Sequence, residues 1–175
     1  MIKGGIFLKI LVFFRLGRDL ENLTEEEWRR ISRGEMDLNY LQKQLNPSDE
    51  AALEQALLIR DSLEGAAEIT GLYLGSDPLS AIAKNLYAVG LKEIYQLPVP
   101  PDLDPASAAE LTADFCLRQG PFDLILTGCT EYPFDFGVTQ TLLAERLALP
   151  LISHGRWAQP AGEGLQVEYE DDLFL

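Results

Sequence analysis

The sequence predicts an α/β fold, a Rossmann-like parallel sheet with helices on both faces. Three observations carry that expectation. Short apolar, β-forming runs alternate with helical stretches along most of the chain, the pattern of βαβ units with right-handed crossovers. The first run, Lys9-Ile-Leu-Val-Phe-Phe14, is continuously apolar after its lysine, as expected of a strand buried on both faces. The helical stretches carry capping residues or Pro at their starts and Gly at their ends.

Composition bounds the rest. The chain has 175 residues, 47% hydrophobic and 24% charged, which suits one globular domain with a real core. Its 14 Lys+Arg stand against 28 Asp+Glu, a formal charge of −14. Such a surface repels phosphate backbones, and no basic stripe opposes it, so nucleic acid is not an expected partner. The longest apolar run, Ile6 to Phe14, is broken by Lys9 and falls well short of a membrane span. It also lacks the cleavage site of a signal peptide, so neither membrane insertion nor export is expected, and a cytoplasmic location is. Cys116, Cys129 and the single His154 make neither a disulfide framework nor a closed zinc site.

Taken in order, residues 1–8 read as a leader or tag-like extension and residues 9–175 as a single domain. The first strand ends near Gly17. Thr24-Glu-Glu-Glu27 has the spacing of a capping box and predicts a helix from Glu25 to Ser32, stopped by Gly34. An irregular stretch follows to Leu45. Asn46-Pro-Ser-Asp49 opens a second helix, with Pro and acid in its first turn, ending near Glu64-Gly65. Ala66 to Leu74 reads as a strand, Pro78 to Val89 as a helix and Glu93 to Leu97 as a strand. A Pro-rich connection then leads to a helix over Ala106 to Arg118, a strand over Phe122 to Thr127 and a helix over Val138 to Ala148. Pro150 to His154 reads as a last core strand, and Leu165 to Tyr169 as an edge strand or hairpin arm.

Ligands of open parallel sheets sit beyond the carboxyl ends of the strands, where the strand order reverses. The candidate crevice is therefore built from Phe13–Gly17, Leu74–Asp77 and Thr127–Gly137. Gly128 closes a strand, and the following helix start near Val138 offers N–H groups suited to an anion. Neither the Walker pattern nor G-x-G-x-x-G is present, so periodicity alone leaves an anion site and an ordinary long loop both open.

Four stretches resemble the electron-transfer flavoprotein β-subunit family. Leu45-Asn-Pro-Ser-Asp-Glu-Ala-Ala-Leu-Glu-Gln-Ala-Leu57 is similar to that family's I-N-P-x-D-x-x-A-L-E-E-A-L segment. Lys9-Ile-Leu-Val12 resembles its opening strand, and Leu86-Tyr-Ala-Val-Gly90 its A-L-A-M-G-A. Phe122-Asp-Leu-Ile-Leu-Thr-Gly128 with Ala144-Glu-Arg-Leu-Ala-Leu-Pro150 resembles its F-D-L-I-L-x-G … A-E-x-L-G-x-P block. The resemblance runs from about Lys9 to Asp172 and implies an adenine-nucleotide-binding domain of the electron-transfer flavoprotein type. It implies a subunit that holds AMP and supports an FAD carried chiefly by an α-like partner in a heterodimer, an electron carrier more than a catalyst. The alternatives are a stand-alone adenine-nucleotide module or a ligand-free interaction protein on the same fold, and a homodimer is the other assembly considered. The resemblance also implies a shortened member, without the C-terminal part that recognises dehydrogenases.

Carried over residue by residue, the cofactor-binding set is Phe13, Arg15, Asn46, Asp49, Gly75, Ser76, Gly128, Cys129, Asp135, Val138, Thr139 and Gln140. Arg15 could face a phosphate or pair with an acid. The loop departs from the family pattern: Cys129, Thr130 and Glu131 stand where a basic residue, Gln and Ala are usual, and Gln140 replaces the helix-start Gly. Of the remaining residues, Cys129 reads as a packed or loop thiol against a reactive one, and Cys116 as core. His154 reads as a surface or hydrogen-bonded residue against an acid–base group. Glu168-Tyr-Glu-Asp-Asp172 reads as a solvated tail against a cation site, and Tyr132, Phe134 and Phe136 as loop aromatics that could fill the crevice.

Overall fold

The computed structural model describes residues 7–19, 23–36, 41, 43–128, 137–162 and 164–170. Its elements run β1 (Leu8–Phe14), β2 (Leu16–Arg18), α1 (Glu25–Ser32), β3 (Lys43–Leu45), α2 (Pro47–Ser62), β4 (Ala67–Leu74), α3 (Ser80–Val89) and β5 (Glu93–Leu97). They continue with α4 (Pro105–Gln119), β6 (Leu124–Thr127), α5 (Val138–Leu147), β7 (Gly155–Ala161) and β8 (Gly164–Tyr169). β1 begins at Leu8, one residue before the expected domain start.

The central sheet has the order β5-β4-β1-β6 with every pairing parallel. The chain steps outward from β1 through β4 to β5 and then returns to the far side of β1 for β6. The order therefore reverses between β1 and β6, and the carboxyl ends of those two strands flank the switch point. Both faces of the sheet are covered, as the apolar runs require. On one face Ile10, Val12, Phe14, Ile69 and Tyr73 pack with Ala56 and Ile59 of α2 and Leu86 of α3. On the other, Leu11, Phe13, Leu72 and Leu74 pack with Ala108, Phe115 and Cys116 of α4. Alternate residues of one strand serve opposite cores because the side-chain period of a strand is two. Gly71 leaves the room that Phe14 and Leu91 occupy, since a Cβ there would lie 2.9 Å from the Leu91 methyl and 3.2 Å from the Phe14 ring.

The helix ends follow their sequence signals. Thr24 and Glu27 form the capping box reciprocally, and Asn46 caps α2 with Pro47 in its first turn. Gly90 ends α3 in the left-handed region at φ 116°, where a Cβ is costly. Cys116 is buried, and burial pushes its thiol up to about 11, as befits a packed core residue.

Two expectations are corrected. The stretch before Leu45 contains β3, which pairs antiparallel with β2. The expected core strand over Pro150 to His154 is not one: among the described residues this segment joins no sheet, and Leu151 and Ile152 are 47% and 52% exposed. The reason is topological. α5 packs on α4 over one face of the sheet, whereas β7 packs on α2 over the other. The residues between them lead from one face to the other without forming a ladder among the described residues, so their apolar side chains stay exposed. The following chain instead forms the β7–β8 hairpin, anchored by Ala158, whose N–H and C=O are bonded by the Gln55 side chain at 3.2 and 2.7 Å.

Ile59, 1% exposed, links α2 to the first core. Replacing it with Ala should cost about 2–5 kcal/mol, read by urea denaturation as a lower midpoint at unchanged slope; a loss under about 1 kcal/mol would show that α2 is not a core helix.

Candidate functional site

The short β2–β3 pair brings the candidate site together. Leu16 lies opposite Leu45, so Arg15, at the end of β1, is brought beside Asn46, the cap of α2. From there the contacts converge on Asp49, which is only 4% exposed. The Gly128 N–H at the end of β6 donates to Asp49 Oδ1 at 3.0 Å. The Arg15 N–H donates to Oδ2 at 3.2 Å, and Asn46 Nδ2 donates to the same oxygen at 2.7 Å. Asn46 Oδ1 in turn accepts from the Asp49 N–H at 2.8 Å and from Ser48 Oγ at 2.6 Å. One carboxylate thus joins the ends of both strands that flank the switch point.

Gly128 allows this approach. A Cβ there would lie 2.5 Å from both the main-chain N and Oδ1 of Asp49, closer than any real contact. The Gly128 carbonyl accepts from Gln140 Nε2 at 3.0 Å, so the first turn of α5 is tied to the end of β6. α5 itself begins after Gly137, which provides no side-chain cap.

Two buried polar atoms at this place have no hydrogen-bond partner among the described residues: Arg15 Nη2 and Gln140 Oε1. Unmatched buried groups of this kind are costly, and a native structure usually has a reason for them. Between the two alternatives for Arg15, its main chain serves Asp49 while its guanidinium keeps an unused donor.

Burial pushes the Asp49 carboxyl up from an ordinary 3.8 to about 6, against the Arg15 and Gly128 N–H groups, the Asn46 amide and the Arg15 charge, which all favour the ionised form. Tyr73, beside the end of β4, is pushed up to about 12, first by burial and then by Asp77. Asp77 is held low by its ion pair with Lys43 of β3.

The expected residues fall into groups. Arg15, Asn46, Asp49, Gly128 and Gln140 are linked directly by the bonds above. Gly75 and Ser76 turn toward β5: the Gly75 N–H donates to Leu97 O at 3.0 Å and Ser76 Oγ to Val99 O at 2.7 Å. The Thr139 hydroxyl reaches Pro105 O at 3.4 Å, toward α4. Val138 is exposed, and Phe13 is part of the second core. Cys129 and Asp135, with Thr130, Glu131, Tyr132, Phe134 and Phe136, lie outside the described residues. Asn46 spends its amide on the helix cap and on Asp49. His154 is exposed, and its carbonyl accepts from the Glu170 N–H. Glu170 pairs with Arg156 at 2.6 Å, and among the described residues no acidic or His/Cys cluster is arranged to hold a metal ion. Sequence reasoning missed the β2–β3 pairing and the Tyr73–Asp77–Lys43 link, because three-residue strands carry no periodicity to read.

The comparisons with known proteins agree with this architecture. The family model described as Electron transfer flavoprotein domain matches residues 36–168. The chain belongs to the electron transfer flavoprotein family. An Escherichia coli (strain K12) protein that carries the provisional name electron transfer flavoprotein subunit YgcR is 32% identical over 148 residues, which is 82% of this chain. The match covers 56% of that relative, so the chain spans little more than half its length. The matched region holds α2, the central strands β4, β5 and β6, and the hairpin, and so includes Asn46, Asp49 and Gly128. No helix among the described residues is long and apolar enough to cross a membrane.

The raised Asp49 carboxyl makes stability depend on pH with a definite sign. The folded chain holds this proton more tightly than the unfolded one, so the contribution is full below about pH 4 and is lost as pH rises through about 6. The change amounts to about 3 kcal/mol. Relative to Asp49→Asn, which does not titrate, the wild type should therefore lose about that much unfolding free energy between about pH 4 and pH 7.5, measured by urea denaturation; parallel pH profiles for the two proteins would refute it.

Proposed function

We propose that this chain acts as a β-type subunit of an electron transfer flavoprotein, holding AMP at the β1–β6 switch point and supporting an FAD carried by an α-like partner. The family membership supports the redox-carrier role, and the observation that carries the adenylate is Arg15 Nη2, a buried guanidinium nitrogen beside the strand ends with no hydrogen-bond partner among the described residues. Two features fit an adenosine phosphate: that unused cationic donor and the start of α5, which has no side-chain cap. When present, the flavin would supply the electron chemistry. The residues of this chain would bind and orient an adenylate and would carry out no bond-making step, and a cytoplasmic heterodimer is the matching assembly.

Gln140 favours a second reading. Its amide lies against the Gly128 carbonyl where the resemblance implies a helix-start Gly, which suits a crevice closed by its own side chain in a ligand-free interaction protein.

The two readings separate on purified protein. Denaturation should release AMP, identified by mass, and co-expression with an α-like chain should yield a yellow complex. Arg15→Ala should weaken AMP binding by roughly 10–100-fold, the worth of one hydrogen bond from a charged group, while Gln140→Gly should leave it unchanged or tighter. No released nucleotide, with binding that appears only in Gln140→Gly, would establish the closed crevice instead.

A further inference from the structure

We propose that Asp49 is the positioning residue of this site: its carboxylate touches no ligand but clamps the main chain of Arg15 and Gly128, so that the Arg15 guanidinium is held in fixed register with the end of β6 beside an adenylate. The inference rests on the adenylate reading above. It departs from the role that the resemblance implies for Asp49, a direct cofactor contact.

The acceptor inventory carries the argument. An ionised carboxylate only accepts, and both oxygens of Asp49 are already engaged, Oδ1 by Gly128 and Oδ2 by Arg15 and Asn46. An anionic ligand offers further acceptors, which a carboxylate repels. In an ordinary capping box the acid at the third helical position returns to the main-chain N–H of its own cap residue. Asp49 holds that position in α2, yet its oxygens reach residues 34 and 79 positions away in the chain. The helix cap is left to Asn46, whose amide donates back to Asp49 and holds the carboxylate plane. The missing Cβ of Gly128 completes the fit, because any side chain there would collide with Asp49 itself. The acid, its orienting amide and the glycine therefore form one device whose output is the relative placement of two strand ends.

The charged group facing the carboxylate is Arg15, from the end of β1. α2 contributes Asn46 and β6 contributes the Gly128 N–H, neither of which titrates. Protonation of Asp49 removes the charge that these donors face and so alters the hydrogen bonds of the Arg15 and Gly128 N–H groups together.

The test uses the full chain labelled with nitrogen-15, with AMP as the probe. In the wild type the Gly128 and Arg15 amide signals should titrate together with a single midpoint, and that inflection should vanish in Asp49→Asn. In Asp49→Asn, with folding verified by circular dichroism, the AMP Kd should rise at least tenfold at pH 7.5. Amides that do not move together, or a folded Asp49→Asn that keeps the wild-type Kd within twofold, would overturn the clamp. If Asp49→Asn does not fold, the joint wild-type titration decides the matter alone. A wild type that shows the joint titration but binds no AMP upholds the clamp and removes the adenylate reading.

Discussion

The buried carboxylate of Asp49 is the constraint on which the rest of the site depends. A parallel sheet leaves the carboxyl ends of its strands without mutual hydrogen bonds beyond the last ladder pair, and at a switch point the connections leave in opposite directions. Here the last pair between β1 and β6 is Phe13 with Thr127. Beyond that pair, Arg15, two residues on, and Gly128, one residue on, meet through Asp49 rather than through each other. A water molecule could bridge such a gap, but a carboxylate on a rigid helix fixes the distance, and the start of the helix favours its negative charge. Desolvation sets the opposing cost, visible in the raised carboxyl.

The sheet makes this arrangement rigid. β1 is buried on both faces between two cores, so its end has little freedom to shift. α2 is held on one of those faces by Ala56 and Ile59, and Arg60 ties it to the carbonyls of Val89 and Gly90 at the end of α3. The hairpin β7–β8 adds a second support through Gln55. Asp49 thus projects from a helix braced at several points along its length, and side-chain geometry on such a support is more exact than on a loop.

Membership in the electron transfer flavoprotein family and divergence in the loop after Gly128 fit together in this picture. Of the elements that frame the site, α2, β6 and α5 lie in the family-matched region, whereas β1 and Arg15 precede it, and the motif of Asn46 to Asp49 performs an internal structural task that any occupant would need. Gln140, by contrast, changes the local chemistry. Its amide satisfies the Gly128 carbonyl but leaves its own oxygen buried without a partner. Together with the unused nitrogen of Arg15, this leaves an unspent donor and an unspent acceptor among the described residues of the site.

The sequence by itself determined what depends on neighbours along the chain. The capping box at Thr24, the Asn46-Pro47 helix start, the limits of β5 and α1 and the double-faced burial of β1 all follow from local hydrogen bonding and from the period of apolar residues, which act over a few positions. Only the tertiary structure decided what depends on partners far apart in sequence. Arg15, Asp49 and Gly128 meet because β2 pairs with β3 and β6 returns beside β1, and three-residue strands leave no periodic trace. Pro150 to His154 reads as a core strand, yet among the described residues it joins no sheet and leaves Leu151 and Ile152 exposed between α5 on one face and β7 on the other. Hydrophobicity specifies that a segment prefers burial; which surface is available to bury it is a property of the assembled fold.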